Sequence, residues 1–381
     1  MTGRERLTRT LAGKLPDCVP VAPDMSNMMP AKRTGLPFWD LYLYQKVPIW
    51  KAFIQNAKYF DIDPLMDGYV PIDFDDIPHP SGDGIPRETA IVFENEERIV
   101  TRKYHRENGR EIWSDKVDVF YVADPPTAGI DPEKIRLSKD APKSWRPLEG
   151  VTQWPKGEAL LKLAKAELGD QGLLGAYCGT TLLCPDVESI YDYFDDPEPF
   201  YERRDRLLDF FERKFHRLMS LETKPDFIAM GASGTLVFQT EAIFRALGLP
   251  ILQRMTALCK AHGIASHVHS CGPEAKLVEI AVNETDLTVI DPLEIAPMGD
   301  CDLKKLKALY GDKIVLKGNL HTTDVMLFGT PDDVRKAARQ AIDDAKENGR
   351  FILSTGDQCG RDTPEENIFA MVETARTYGK Y

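Results

Sequence analysis

The sequence has few cysteines, no excess of basic residues and no long apolar run, and each absence excludes a class of protein. Seven cysteines in 381 residues are an odd and modest number, which does not indicate a disulfide framework. The 48 Lys and Arg residues against 60 Asp and Glu give a net charge of −12, which argues against nucleic acid as a partner. The longest apolar runs, Val119–Ala123 and Ile368–Val372, are far shorter than a membrane span, and the polar start does not read as a signal peptide. We therefore expect a cytoplasmic enzyme that binds neither nucleic acid nor a membrane.

Short β-rich runs alternate with helical patterns along most of the chain. Eight such runs, each ending near Gly, Asp or Ser, are Val19–Ala22, Ile62–Met66, Leu173–Tyr177, Phe227–Met230, Ile264–Val268, Leu287–Ile290, Lys313–Leu316 and Arg350–Ser354. Eight strands alternating with helices predict a parallel (β/α)8 barrel, a TIM barrel, as a single domain over residues 1–381. A doubly wound open sheet is the alternative, but no G-x-G-x-x-G motif follows an early strand.

One stretch, at about residues 70–150, interrupts the alternation. Two runs of alternating polarity flank Asn108-Gly109, a dipeptide that is typical of a tight hairpin turn. The sequence therefore predicts an antiparallel β-hairpin insertion after the second barrel strand. Whether this insertion contributes to the active site or only decorates the barrel stays open at this stage.

Residues that follow barrel strands are the first candidates for chemistry, because TIM-barrel active sites lie at the C-terminal ends of the strands. The fifth strand runs into His269 and Cys271, which are two residues apart and point to the same side, and Cys359 follows the eighth strand. One imidazole and two thiolates suit zinc, and three protein ligands leave the fourth position open, as in catalytic zinc sites. We predict these three residues as metal ligands, with His267 as a supporting or alternative ligand. On the residues alone, a buried cysteine and a hydrogen-bonded histidine are the simpler interpretation.

Other polar residues near the strand ends are candidates for catalysis and substrate binding. Four acidic residues could donate a proton to a leaving oxygen or occupy the fourth metal position: Asp24, Asp67, Glu294 and Asp357. Three residues are candidate substrate-binding groups: Tyr177, Ser233 and Asn319. For each of them, an ordinary hydrogen-bonding, capping or loop role is the alternative.

Several motifs in the C-terminal half resemble the uroporphyrinogen decarboxylase superfamily. They are HVHSCG at 267–272, DPLE at 291–294, KGNL at 317–320 and TPEENI at 363–368. This superfamily contains true decarboxylases and zinc methyltransferases that work with corrinoid proteins. The decarboxylases carry an arginine-rich segment after the first strand, whereas this chain has DMSNMM at 24–29. His269, Cys271 and Cys359 resemble the methyltransferase zinc site, so the resemblance implies a zinc methyltransferase and disfavours a uroporphyrinogen-type decarboxylase.

The resemblance leaves two directions of methyl transfer open. The insertion and an aromatic-rich segment (Phe38, Trp39, Tyr42, Tyr44 and Trp50) look more like the methyltransferase component of O-demethylases of the veratrole/vanillate type, although an aromatic run is also typical of helix core. We therefore expect Zn²⁺ on this chain and methyl transfer from an aryl methyl ether to the Co(I) corrinoid (cobalamin) of a partner protein, as in anaerobic metabolism. Transfer from a methylcobamide to coenzyme M is the alternative, and a homodimer is compatible with the sequence.

Overall fold

The computed structural model describes residues 1–82 and 84–381. They form two compact units. The barrel unit contains residues 1–26, 57–80 and 156–381, and the sheet unit contains residues 27–56 and 81–155. The prediction of a single domain over the whole chain stays a prediction.

The helices, in chain order, are short at the start and longer around the barrel. They are α1 Gly3–Leu11, α2 Met28–Arg33, α3 Phe38–Tyr42, α4 Ile49–Phe60, α5 Gly157–Leu168, α6 Val187–Asp195, α7 Glu198–Ser220, α8 Thr235–Phe238, α9 Glu241–Ala261, α10 Ala275–Glu284, α11 Leu303–Tyr310, α12 Pro331–Ala345 and α13 Glu365–Thr377. Shorter helical turns cover Pro132–Ile135, Gly169–Gln171 and Thr322–Leu327. Thr330 caps α12 through a reciprocal capping box with Asp333, as the Thr-Pro-Asp-Asp sequence predicts.

The strands fall into a parallel set and an antiparallel set. They are β1 Leu65–Met66, β2 Glu88–Glu94, β3 Arg98–Glu107, β4 Arg110–Tyr121, β5 Thr127–Ile130, β6 Arg146–Pro147, β7 Leu173–Tyr177, β8 Phe227–Gly231, β9 Ala265–His269, β10 Val289–Asp291, β11 Val315–Leu320 and β12 Phe351–Thr355. Within the described part of the chain, the barrel unit holds a seven-stranded parallel sheet in the order β1-β7-β8-β9-β10-β11-β12. This TIM-like α/β fold confirms the predicted fold class.

The segment predicted as the first barrel strand, Val19–Ala22, is not a regular strand. Val21 makes an isolated parallel bridge with Leu353 of β12. Proline at positions 20 and 23 explains the short pairing, because proline has no N–H group to donate to a ladder. On its other side, the carbonyl of Val21 accepts a hydrogen bond of 2.8 Å from the backbone N–H of Asp63. The segment therefore lies between the last strand and the residues that lead into β1.

A layer of apolar side chains fills the barrel near the ends where the strands begin. It comprises Leu7, Ala22, Leu65, Leu173, Phe227, Ala229, Val289, Val315 and Ile352, with Ala265 packed against it. Because side chains alternate across a strand, the positions two residues beyond Ala265, Val289 and Val315 face the interior as well. These positions carry His267, Asp291 and Lys317. The barrel interior therefore changes from apolar to charged toward the C-terminal ends of its strands.

The sheet unit contains an antiparallel sheet in the order β5-β4-β3-β2-β6. Its longest hairpin joins β3 to β4, with Glu107 paired to Arg110 across a two-residue turn. Asn108 and Gly109 have φ values of 50° and 76°, the left-handed conformation that such a turn requires. The predicted antiparallel element is present, and it is larger than a single hairpin.

The aromatic-rich segment packs into the core of the sheet unit. Phe38 is buried with Ala31, Leu41 and Ala52, and Tyr42 packs against this cluster. Trp39 and Tyr44 pack against Leu43, Ile91 and Ile99 in a second cluster, and Trp50 makes an edge contact with Trp154 at 5.7 Å. These contacts favour the helix-core interpretation of the aromatic run. They also explain why residues 27–56 group with residues 81–155.

One helix in the described residues, α9, is long and apolar enough to cross a membrane by length and composition alone. The mean hydropathy of its most apolar window is 1.2, and 61% of that window is buried inside the protein. Its buried residues include Ile243, Leu247 and Met255. Such burial is typical of a core helix that covers a barrel sheet.

Candidate active site

The candidate site lies where three neighbouring strands of the barrel end. β9 supplies His267 and His269, β10 ends in Asp291, and β11 carries Lys317. The parallel register pairs Asp291 with His269, which brings the acidic and imidazole groups side by side. The site therefore follows from the inward-facing positions of adjacent strands.

Asp291 is the hub of this cluster. It is only 2% exposed, and its Oδ1 atom accepts hydrogen bonds from His267 Nε2 at 3.0 Å and His269 Nδ1 at 3.2 Å. Lys317 Nζ donates to the other carboxylate oxygen. Burial opposes ionisation, but Lys317 and the two imidazoles hold the pKa of Asp291 well below its usual range. The carboxylate is thus an ionised, fully partnered group inside the barrel.

The hydrogen bond to Asp291 fixes the imidazole of His269. With its Nδ1–H donated to the carboxylate, the lone pair of His269 is on Nε2, which lies 3.7 Å from Asp357 Oδ1. One ligand atom each from His269, Cys271 and Asp357 lie within 4.8 Å of one another. Metal-bound histidines usually donate their other ring N–H to a carboxylate in this way.

Asp357 supplies an independent sign that this group suits a cation. Its Oδ1 atom is buried and has no hydrogen-bond partner among the described residues. Its backbone φ is 120°, a conformation that non-glycine residues rarely adopt and that is common at functional sites. An imidazole lone pair, a thiol and an unsatisfied carboxylate oxygen form a plausible N, S, O donor set for zinc.

Cys359 does not belong to this group of close ligand atoms. Its side chain is fully buried and hydrogen-bonds to Thr355, and its backbone N–H donates to the carbonyl of Asp24 at 2.8 Å. Burial, aided by the charge of Asp24, raises the pKa of the Cys359 thiol to about 12. The structure places Asp357 beside His269 and Cys271 instead. The assignment of Cys359 as the third ligand stays a prediction.

Glu294 lies directly beside the group formed by His269, Cys271 and Asp357. Its Oε2 atom accepts a hydrogen bond from the backbone N–H of Gly272, the residue after Cys271. Burial raises the pKa of Glu294, and the negative charge of Asp357 acts in the same direction. Glu294 therefore lies next to these side chains with a raised pKa, and its role as an acid stays a prediction.

Asp24 and Asp67 are two further carboxyl groups near the charged cluster. Asp24 accepts hydrogen bonds from Ser26 N at 2.8 Å and Tyr69 Oη at 3.3 Å. Burial raises the pKa of Asp24, although Lys317 and His269 oppose that shift. Asp67 Oδ2 lies 3.5 Å from His267 Nδ1. Both carboxyl groups thus belong to the same electrostatic network as His269.

The three predicted substrate-binding residues differ in their surroundings. Asn319 is buried, and its Nδ2 atom donates to the carbonyl of Leu293 at 3.1 Å. Tyr177 is 40% exposed and donates its hydroxyl to the carbonyl of Gly231 at 2.8 Å. Ser233 is exposed on the loop after β8. Their roles in substrate binding stay predictions.

The sequence interpretation did not assign a role to Asp291 or Lys317. Both lie within motifs that it singled out, but as markers of a family rather than as working groups. Their position in the sequence could have indicated a role. Asp291 and Lys317 each stand two residues after a buried valine on the inner face of a short strand. A charged residue in an otherwise apolar strand interior indicates a partnered, functional charge.

Comparisons with known proteins agree with the sequence motifs. Residues 224–378 match the family model for uroporphyrinogen decarboxylase. The chain is 27% identical over 163 residues to the uroporphyrinogen decarboxylase of Aromatoleum aromaticum, an alignment that covers 40% of this chain and 43% of that protein. The chain therefore spans less than half the length of the curated relative it matches.

A solved structure extends the similarity of fold to the whole chain. The methyltransferase from Methanosarcina mazei superposes with a TM-score of 0.60 at 15% identity, and the match covers 99% of each chain. At this identity the likeness establishes the fold alone. Together with the family match over residues 224–378, it confirms the resemblance of this chain to the uroporphyrinogen decarboxylase superfamily.

Proposed function

We propose that this protein is a zinc-dependent methyltransferase that moves a methyl group from an aryl methyl ether to the corrinoid of a partner protein in the cytoplasm. The observation that carries the proposal is the convergence of His269, Cys271 and Asp357 within 4.8 Å at the strand ends. The fold shared with the Methanosarcina mazei methyltransferase supports it. The sequence at 24–29, which lacks the arginines that would clamp a polycarboxylate substrate, argues against porphyrinogen decarboxylation.

His269, Cys271 and Asp357 would hold the zinc ion, and Asp291 would keep His269 in the ligating tautomer. When bound, zinc supplies Lewis acidity that weakens the bond between an ether oxygen and its methyl carbon. These three residues would supply an imidazole, a thiolate and a carboxylate, a donor set that suits a catalytic zinc ion. The remaining steps depend on the side chains of this protein.

Glu294 is the proposed proton donor. Burial and the nearby charge of Asp357 raise the pKa of Glu294, and the hydrogen bond from Gly272 holds its carboxyl group beside Cys271. A proton held there would neutralise the phenolate oxygen as the methyl group leaves. Lys317 interacts electrostatically with Asp291, Asp67 and Asp24, so its positive charge offsets the carboxylates around His269.

The test supplies zinc-loaded protein with a corrinoid protein reduced to Co(I) and with 1,2-dimethoxybenzene or vanillate. We expect formation of the corresponding phenol, measured by chromatography, together with the change in cobalt absorption that accompanies methylation. Cys271→Ala is the matched control, since it removes one ligand from a partly exposed position.

Two parallel reactions identify the alternatives. Methylated corrinoid protein with coenzyme M would yield the methyl thioether if the enzyme works in the thiol direction. Uroporphyrinogen would release carbon dioxide if the chain is a decarboxylase. Product in either of these reactions, without phenol in the first, would overturn the proposal.

A further inference from the structure

His321 lies at the C-terminal end of β11, on the side of the barrel where the proposed metal ligands also lie. It is the first residue after β11, and the last residue of that strand, Leu320, pairs with Thr355 of β12. The backbone N–H of Gly356 donates to the carbonyl of Leu320 at 2.7 Å. His321 and Asp357 therefore leave adjacent strands at the same level.

The hydrogen bonds of His321 define its tautomer. Its Nδ1 atom accepts from the backbone N–H groups of Thr323 at 3.2 Å and Asp324 at 2.9 Å, so that the imidazole caps the helical turn Thr322–Leu327. A nitrogen that accepts two N–H groups presents a lone pair. The ring hydrogen of the neutral imidazole must then be on Nε2, which can act only as a donor.

That donor is buried and has no partner among the residues that the structure describes. Buried polar hydrogens are rarely left without an acceptor, because the loss of hydration is not repaid. The unsatisfied group belongs to the same electrostatic neighbourhood as the site: the carboxyl group of Glu294 interacts with His321, His269 and Asp357. An oxygen of a bound ligand would supply the missing acceptor.

We propose that the Nε2–H group of His321 donates a hydrogen bond to the oxygen of the bound methyl donor. That oxygen keeps the bonding electron pair when its bond to the methyl carbon breaks, and the methyl group passes to the reduced corrinoid. The hydrogen bond therefore strengthens as negative charge develops on the oxygen. This inference rests on the proposed function, because the oxygen belongs to an aryl methyl ether.

Two substitutions distinguish the role of His321 as a hydrogen-bond donor from its role as the cap of the helical turn. His321→Asn keeps a short side-chain acceptor that caps the helical turn, but its amide is too short to place a donor where Nε2 lies. His321→Gln places an amide donor near the Nε2 position and removes the short capping acceptor. A purely structural cap predicts that the Asn variant is normal and the Gln variant is impaired. The proposed donor predicts the reverse.

The first measurement is binding of 2-methoxyphenol to the zinc-loaded protein by calorimetry. We expect His321→Asn to weaken binding about tenfold, as for the loss of one hydrogen bond, and His321→Gln to retain most of the affinity. Zinc content and thermal unfolding of the two variants are measured alongside. Equal affinity of wild-type protein and His321→Asn would overturn the inference.

The second measurement uses a series of substituted anisoles whose leaving phenols differ in pKa. Loss of the donor leaves more charge on the oxygen, so that kcat of His321→Asn should fall most for the poorest leaving groups. A uniform decrease across the series would contradict the role.

The two measurements also separate this inference from the proposed function. If wild-type protein binds phenols in a His321-dependent way but demethylates no anisole, the proposed function is wrong and the donor role stands. If anisoles react and both variants behave as wild type, the donor role is wrong and the function stands. If wild-type protein neither binds phenols nor reacts with anisoles, both are wrong.

Discussion

Nδ1 of His269 lies 3.2 Å from Oδ1 of Asp291, and this contact decides which nitrogen of the histidine is available to a metal. The same oxygen accepts from His267, and Lys317 balances the charge of the carboxylate. A buried carboxylate with three donors is held rigidly, so the ligand histidine that it orients is held as well. The orientation of His269 in the proposed zinc site therefore depends on charged groups in the barrel interior.

Asp291→Asn should weaken zinc binding by about 10–100-fold, the usual effect of losing a carboxylate that orients a ligand histidine. The substitution also takes from Lys317 the carboxylate that accepts its hydrogen bond, and breaking a buried ion pair in this way costs about 3–5 kcal/mol of folding stability. Chelator competition measures the affinity, and chemical denaturation measures the stability.

The double substitution Asp291→Asn with Lys317→Met is the control for that experiment. It removes both charges, so we expect folding stability to recover while zinc affinity stays low. If the double variant regains full zinc affinity, Asp291 acts only by keeping the barrel folded.

Asp357→Ala should release the zinc ion, whereas Cys359→Ala should retain it. The reason is that Asp357 lies in the group of close ligand atoms and Cys359 does not. Metal analysis of the two purified variants after identical dialysis checks the difference. Loss of zinc from Cys359→Ala and not from Asp357→Ala would restore the ligand set inferred from the sequence.

Asp357→Gly should be more stable to unfolding than Asp357→Ala by about 1 kcal/mol, because glycine adopts positive φ freely and alanine does not. Both variants lack the carboxylate, so the comparison isolates the backbone. The free energies of unfolding are compared in the absence of metal. Equal stability would show that the φ of 120° carries no strain.

Glu274→Gln should remove one pH-dependent contribution to stability. Glu274 is 2% exposed, and burial raises its pKa to about 6 from 4.5. In the unfolded chain the carboxyl group ionises near its ordinary pKa, so the native state loses stability as the pH rises from about 4.5 to 6. A shift of this size corresponds to about 2 kcal/mol.

The variant should therefore gain about 2 kcal/mol relative to wild type between pH 4 and pH 7. Its side-chain oxygen can still accept from Leu236 N and Ser270 Oγ, which bond to Glu274 Oε1 in the native protein. Denaturation of both proteins at several pH values gives the difference directly. A constant difference across that range would show that Glu274 ionises normally.

Local sequence patterns were sufficient to predict the fold class. Alternating β-rich and helical runs predicted the barrel, and Asn108-Gly109 predicted the turn that the structure contains. Such signals depend on neighbouring residues alone. The grouping of residues 27–56 with residues 81–155 depends on contacts far apart in sequence, such as Leu43 with Ile91 and Ile99, and no local pattern encodes these.

The candidate site was predicted only in part. His269 and Cys271 follow from strand alternation and converge in the structure as expected. For the third ligand, the preference of zinc for sulfur favours Cys359, an assignment that stays a prediction, whereas the course of the backbone after Thr355 places Asp357 beside His269 and Cys271. That course depends on a positive φ at a non-glycine residue, which sequence patterns do not signal.

The seam between the first and last barrel segments has a consequence for biosynthesis. Ser354 Oγ donates to the carbonyl of Ala22 at 2.7 Å, and these residues are 332 positions apart along the chain. A nascent polypeptide therefore leaves the ribosome with one edge of its earliest barrel segment unpaired until nearly all later segments have emerged. Chains that stall before residue 350 would retain open strand edges, which makes them natural clients of chaperones.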